Sequence, residues 1–198
     1  MADSNITKQA MAAAFKELLR EHSFDKISVS DICERCHMNR KSFYYHFKDK
    51  FDLANWIFDT EFLELAQQQE LEVCGDSIDE RWEGLEAACR YFYNNRVFYG
   101  RLLRVEGQNS FTEHFQNFLH PVIRARVADL IDNGEIPDMV YYFLVDGICG
   151  AFDRWLLEKD CMPPEDFMHT LKELLKLFYL GFTKRISDDP GWLNWIQS

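Results

Sequence analysis

The 198-residue chain has no run of about 18 or more apolar residues, so no segment reads as a membrane-spanning helix. Met1 to His22 reads as an amphipathic helix instead of a signal peptide, and a cytoplasmic location is expected. A Gly-rich phosphate loop, an H-E-x-x-H pair and a nucleophile motif are missing as well, and the histidines at 22, 37, 46, 114, 120 and 169 are dispersed. These absences leave an enzyme reading little to stand on. Asp146 and Asp153, at i and i+7, could be paired carboxylates, but a solvated or interface role is commoner for such residues. No alternating strand pattern competes anywhere, which makes the chain all-α with about nine helices.

Six cysteines stand at 33, 36, 74, 89, 149 and 161. Cys33-Glu34-Arg35-Cys36-His37 spells C-x-x-C-H, the pattern of covalent haem attachment. That chemistry needs an exported, oxidising setting and a second axial ligand. Zinc needs another C-x-x-C or a His pair at ligand spacing, and neither occurs. Both thiols fall on the apolar side of a short helix, where small core residues belong. The remaining cysteines are scattered and read as reduced, buried thiols. No metal and no cofactor is expected.

Charge is scarce in one sign. The net value is −11, which by itself argues against a nucleic-acid partner. Its distribution argues the other way: residues 1–50 hold 9 Lys and Arg against 7 Asp and Glu, whereas residues 51–198 hold 13 against 26. An acidic body behind a locally basic head repels DNA everywhere except at the head, and so fixes the orientation of approach.

With 47% hydrophobic and 15% aromatic residues the chain has ample material for a core. Met11, Phe15, Leu18 and His22 form one stripe of a first helix. Phe24 and Ile27 plug the link that follows. Ser28 with Asp31 is an S-x-x-D start for a second helix over about Ser28–Cys36, and Asn39 is placed to cap a third whose Phe43 and Phe47 point inward. A fourth and longer helix over about Asp49–Gln69 reads as the lever between head and body. Ser77-Ile78-Asp79-Glu80 and Ser110-Phe111-Thr112-Glu113 are capping boxes for the fifth and seventh helices. A short sixth lies between them over Arg96–Val105. Asn133-Gly134 stops the seventh, Pro137 opens the eighth, and Pro163-Pro164 opens the ninth. Residues 1–50 are thus read as a head and 51–198 as a helical body. Trp192 and Trp195, near the last residue, are expected to tuck onto the body or across a dimer.

Two short helices joined by a tight turn, the second carrying Arg, Lys, hydroxyls and phenols on its outer side, suit the major groove of DNA. Ile27-Ser28-Val29-x-Asp31-Ile32, then Met38-Asn39-Arg40-Lys41-Ser42-Phe43-Tyr44-Tyr45-His46-Phe47, then Lys50, resembles the helix-turn-helix of the TetR family of one-component regulators. One departure is His37, where that family usually has Gly. The resemblance implies a transcription regulator, commonly a repressor, that binds a palindromic double-stranded operator as a homodimer. The two-helix reading sends Asn39 to Ser42 into the major groove, with Arg40 and Lys41 as the candidates for guanine O6 and N7, and the resemblance implies mostly phosphate contacts from Ser28, Ser30, Tyr44, Tyr45, His46 and Lys50.

In the body the same resemblance implies a small-molecule effector site among helices five to eight, for which Trp82, Phe92, Tyr99, Phe115 and Tyr142 are candidates. Gly147, Gly150 and Ala151 on the eighth helix, with Leu171, Leu174, Leu175 and Phe178 on the ninth, are expected at a dimer interface, because glycine inside a helix signals the close approach of another backbone; packing within the chain's own core is the alternative. Asp146-Gly147-Ile148-x-Gly150-Ala151-Phe152-x-x-Trp155, followed by Pro163-Pro164-Glu165-Asp166-Phe167, resembles a TetR subset that includes regulators of dihydroxyacetone kinase operons. Members of that subset can answer to a protein co-regulator instead of a small molecule, and some activate.

Overall fold

Side-chain caps start the helices close to where the sequence places them. The computed structural model describes residues 2–68, 78–105, 110–130 and 137–174. Met1–Cys161 forms one compact unit and Met162–Ser198 a second. Within the first unit lie α1 (Ala2–Glu21), a 3-10 turn (Phe24–Lys26), α2 (Val29–Arg35), α3 (Arg40–His46), α4 (Lys50–Gln68), α5 (Ile78–Asn94), α6 (Arg96–Leu102), α7 (Phe111–Leu130) and α8 (Asp138–Leu157). In the second unit residues 164–174 are helical, here α9. Every regular element among the described residues is a helix, as the sequence predicts.

Ser28 and Asp31 form the reciprocal box at the start of α2, Asn39 Oδ1 accepts from Ser42 N at 2.8 Å, and Asp49 Oδ1 accepts from Phe51 N and Asp52 N at 2.8 and 2.9 Å. Ser110 Oγ accepts from Glu113 N at 3.3 Å and starts α7. The Ser77 cap, the Asn133-Gly134 stop, Leu175, Phe178, Trp192 and Trp195 lie outside the described residues. So does the side chain of Trp82.

Two clusters hold the first unit together. In the head, Met11, Phe15, Phe24, Ile32, Phe43 and Leu53 are buried where α1, α2, α3 and the start of α4 meet. Phe24 lies 4.7 Å from Phe51 and 6.0 Å from Phe15, ring centre to ring centre. Further along α4, Phe58 meets Phe62, Phe111, Phe115 and Phe118 at 5.2 to 5.9 Å and Phe92 at 6.1 Å. Phe92 in turn stands 4.6 Å from Phe152 of α8.

A second seam joins α1 to α6. Phe15 meets Phe98 at 6.3 Å, and Arg101 donates to the Arg20 carbonyl at 3.2 Å. Beside it runs a chain of polar groups. Lys16 of α1 pairs with Glu61 of α4 at 2.5 Å, Tyr91 of α5 donates to Glu61 at 3.0 Å, and the Tyr91 and Tyr99 hydroxyls share a hydrogen bond of 2.6 Å. Burial pushes the ionisation of both phenols up, so they remain neutral hydrogen-bonding groups.

Phe58 is 1% exposed and touches rings of α5 and α7 as well as Phe62 of its own helix. Phe58→Ala is therefore expected to cost about 3 to 5 kcal/mol, the range for removing a buried phenylalanine. Thermal melting checks it: a chain of this size loses roughly 2 to 4 °C per kcal/mol, so a shift below about 5 °C contradicts a central role for this ring.

Candidate nucleic-acid interface

The turn between α2 and α3 sets how the third helix is presented. Met38 N donates to Cys33 O at 2.8 Å and His37 N to Glu34 O at 3.2 Å. With Cys36 as the C-cap, these are the two bonds of a Schellman motif, which requires a left-handed residue just after the cap. His37 occupies it with φ 55°, the one positive φ on a non-glycine residue among those described. With no glycine at that position, the motif itself could not be read from the sequence.

The motif aims α3 so that Phe43 and Phe47 are buried while Arg40, Lys41, Tyr44 and Tyr45 share the outer side. Tyr45 is 82% exposed and Tyr44 51%. Arg40 Nη2 lies 3.4 Å from the Tyr44 hydroxyl and its guanidinium 5.8 Å from that ring, so the cation is steered along the helix face. His46 is half-buried, with its ring edge-on to Tyr45 at 4.8 Å. Ser42 and Ser30 are also half-buried.

Three residues expected to touch DNA are already engaged. Asn39 has its side-chain oxygen in the α3 cap. Ser28 has its hydroxyl in the α2 box, whose backbone N–H and hydroxyl hold the Asp31 carboxyl below its ordinary range. Lys50 departs furthest from expectation. Its ammonium turns inward and donates to the Phe24 and Ile27 carbonyls, both at 2.8 Å, where the family resemblance implies a phosphate contact. Both partners lie 23 or more residues away, beyond what local spacing reveals.

Arg35 reaches from α2 to Glu17 and Glu21 of α1 at 3.3 and 3.0 Å, a pair of surface ion pairs that sequence reasoning missed. Their worth lies in orienting α2, since exposed pairs are screened by salt. Cys33 is buried and Cys36 half-buried, and burial raises both thiols, which agrees with packing. No group of three or more metal-ligating side chains occurs among the described residues.

The candidate effector residues whose side chains are described do not enclose a space. Phe92, Tyr99 and Phe115 come together, but Phe92 sits 4.7 Å from Tyr99 and 5.5 Å from Phe115, so the rings fill the volume between them. Tyr142 is 52% exposed and lies on His120 at 4.9 Å. It faces away because α8 buries Tyr141, Val145, Cys149, Phe152 and Leu156 on its other side. A cleft of about 340 Å³ does open between α4 and α5, walled by Leu65, Glu83, Glu86, Arg90, Tyr91 and Asn95 among others. None of the expected rings whose side chains are described lines it.

On α8 the interface candidates are in the open. A Cβ added at Gly147 or Gly150 would meet nothing within 4 Å among the described residues, and Ala151 is exposed. Met139 and Phe143, two turns and one turn before Gly147, are 73% and 76% exposed. Asp146 accepts from Gln116 at 3.1 Å, and burial pushes the Asp153 carboxyl up to about 6. Seven residues put these two about 10.5 Å apart along the helix axis, too far to share a proton. In the second unit, Leu171 is half-buried and Leu174 48% exposed.

A sequence profile described as the tetR family of bacterial regulatory proteins matches residues 11–56, and one described as a transcriptional regulator C-terminal region matches residues 80–177. The chain belongs to the TetR family. A curated relative, the HTH-type dhaKLM operon transcriptional activator DhaS of Lactococcus lactis subsp. lactis (strain IL1403), is 31% identical over 126 residues. That match covers 62% of this chain and spans 64% of the relative's length. Among solved structures, a dihydroxyacetone kinase operon activator DhaS is 25% identical with a TM-score of 0.55, covering 86% of this chain and 94% of the other. A TetR transcriptional regulator from Streptococcus agalactiae 2603V shares the fold with a TM-score of 0.65 at 24% identity, covering 85% and 93%. The TetR profile begins and ends inside α1 and α4, so it spans the whole helix-turn-helix and reaches both helices that brace it.

In this TetR-family chain, His37→Gly is expected to be neutral or stabilising by up to about 1 kcal/mol. A side chain in the left-handed region costs roughly 1 to 2 kcal/mol, and the added chain entropy of glycine offsets part of the relief. A clear fall in melting temperature would contradict this account of the turn.

Proposed function

We propose that the protein is a sequence-specific transcription regulator that seats two copies of α3 in successive major grooves of a palindromic operator. The observation that carries the reading is the outer side of α3, where Arg40, Lys41, Tyr44 and Tyr45 stand exposed on a helix anchored from behind by Phe43 and Phe47. Arg40 and Lys41 are assigned to guanine O6 and N7, Tyr44, Tyr45, Ser30 and His46 to phosphates. Asn39 and Ser28 contribute by capping the two helices. Half-sites about one helical turn apart, or somewhat more, follow from two-fold symmetry.

The dimer is assigned to the second apolar side of α8, formed by Met139, Phe143, Gly147, Gly150 and Ala151. An exposed stripe of this kind, with two glycines that admit a close backbone, suits a copy of itself. Leu171, Leu174, Leu175 and Phe178 are assigned to dimerisation as well. No helix of the described residues is long and apolar enough to cross a membrane.

An effector in the body is proposed to set DNA affinity. Repression follows when the dimer covers a promoter. A second reading is activation, under a protein co-regulator in place of a small molecule; activation is favoured by the name of the Lactococcus lactis relative, a dhaKLM operon transcriptional activator.

Selection from a randomised duplex library tests the head. Arg40→Ala and Lys41→Ala are expected to lose about 1 to 3 kcal/mol and to relax base preference at one position of each half-site. Tyr45→Ala is expected to weaken all sequences alike. Equal losses across the library for all three would refute the division of labour. Phe143→Glu is expected to convert the protein to a monomer in sedimentation and to abolish operator binding while leaving the helical signal intact; an unchanged dimer would move the interface elsewhere.

A further inference from the structure

Among the described residues of the head, Lys50 is a cation whose charge is turned into the molecule by two carbonyl hydrogen bonds at 2.8 Å. One accepting carbonyl, Phe24 O, already closes the 3-10 turn by accepting from Ile27 N at 3.1 Å. The other, Ile27 O, directly precedes Ser28, the N-cap of α2. The ammonium also lies 4.3 Å from the centre of the Phe24 ring, and that ring rests on Phe51, the residue after Lys50. Lys50 itself opens α4. One side chain therefore joins the first turn of α4, the turn that leaves α1, and the backbone from which the helix-turn-helix begins.

We propose that Lys50 is a positioning residue, a latch that seats α2 and α3 on the first turn of α4, and that it does not neutralise an operator phosphate. The proposal rests on the DNA-binding reading above. Two of the ammonium's three N–H donors are committed to carbonyls, and reaching outward would break both bonds. Burial lowers the affinity of this amine for its proton, against the pull of Asp25 and Asp49, as expected of a group drawn out of water. Lys41 and Lys48, by contrast, are exposed. The latch also gives α4 a grip on the reading helix: when α4 tilts, the start of α2 has to follow.

Counterion release separates the two roles. Each phosphate neutralised on duplex DNA contributes about 0.9 to the slope of log affinity against log salt. In the full-length chain, Lys50→Met is expected to weaken operator binding at least tenfold with an unchanged slope, whereas loss of a true phosphate contact flattens the slope by about 2 per dimer. A Lys50→Met slope flattened by that amount would overturn the latch. Lys50→Arg keeps the charge but replaces a compact ammonium by a planar fork that does not fit the same two carbonyls. The latch predicts that it binds as weakly as Lys50→Met; near-native affinity would overturn it.

Amide hydrogen exchange in the absence of DNA supplies a readout that does not depend on operator binding. Both variants are expected to speed exchange at Ile32, Cys36 and Met38 at least tenfold while amides of α8 stay as they are. Unchanged exchange in α2 would refute the latch even if DNA binding fell. If the native chain binds no duplex at any salt, the DNA-binding reading fails and the exchange result still decides whether Lys50 holds α2. Should Lys50→Met lose its helical signal, the Lys50→Arg variant provides the same comparison.

Discussion

Everything in the first unit depends on α4 burying two different sets of neighbours along one helix. Its first turns bury Leu53 and Ala54 beneath the head, and its middle buries Ile57, Phe58 and Phe62 in the ring cluster of the body. These residues follow one another at helical spacing, so the apolar stripe is continuous and no polar break separates head from body. Because protein interiors are close-packed, a displacement of Phe58 by α5 or α7 has to be taken up along α4 instead of being absorbed by loose space. The constraint converts a disturbance among rings into a change of direction at the other end of the rod.

The seam between α1 and α6 acts alongside it. Phe98 on Phe15 and Arg101 on the Arg20 carbonyl fasten α1 to α6, and Lys16 on Glu61 fastens it to α4. Glu61 takes hydrogen bonds from both Lys16 and Tyr91, so a single carboxylate on α4 connects α1, α4 and α5. His114 and Asp59, 2.7 Å apart, add a further tie from α7 to α4. The body is thus joined to the head through two helices, and the ties are polar at the edges and apolar within.

The fold was legible in the sequence where the physics is local. Ser28 with Asp31, Asn39 with Ser42, and Ser110 with Glu113 act over three residues, and reading them placed the starts of three helices within a residue. Phe43 and Phe47 were legible because a period of about four leaves no choice of side. What stayed hidden acts over distance or through volume. The two carbonyls that hold Lys50 are more than twenty residues away, and no spacing rule anticipates them. Aromatic richness in the body was visible, but whether rings enclose a cavity or fill one depends on how the surrounding helices close, and Phe92, Tyr99 and Phe115 fill theirs. His37 was legible only as an oddity; its meaning comes from the pair of hydrogen bonds around it.

The α1–α6 seam bears on how regulators of this build can be recombined. A hybrid made by splicing at residue 50 would graft a reading head without the surface that Phe98 and Arg101 provide, baring Phe15 to water and leaving the far end of α1 untethered. Junctions chosen to carry α6 along with the head would preserve that support, so modular exchange in this architecture should follow the packing partners and not the order of the chain.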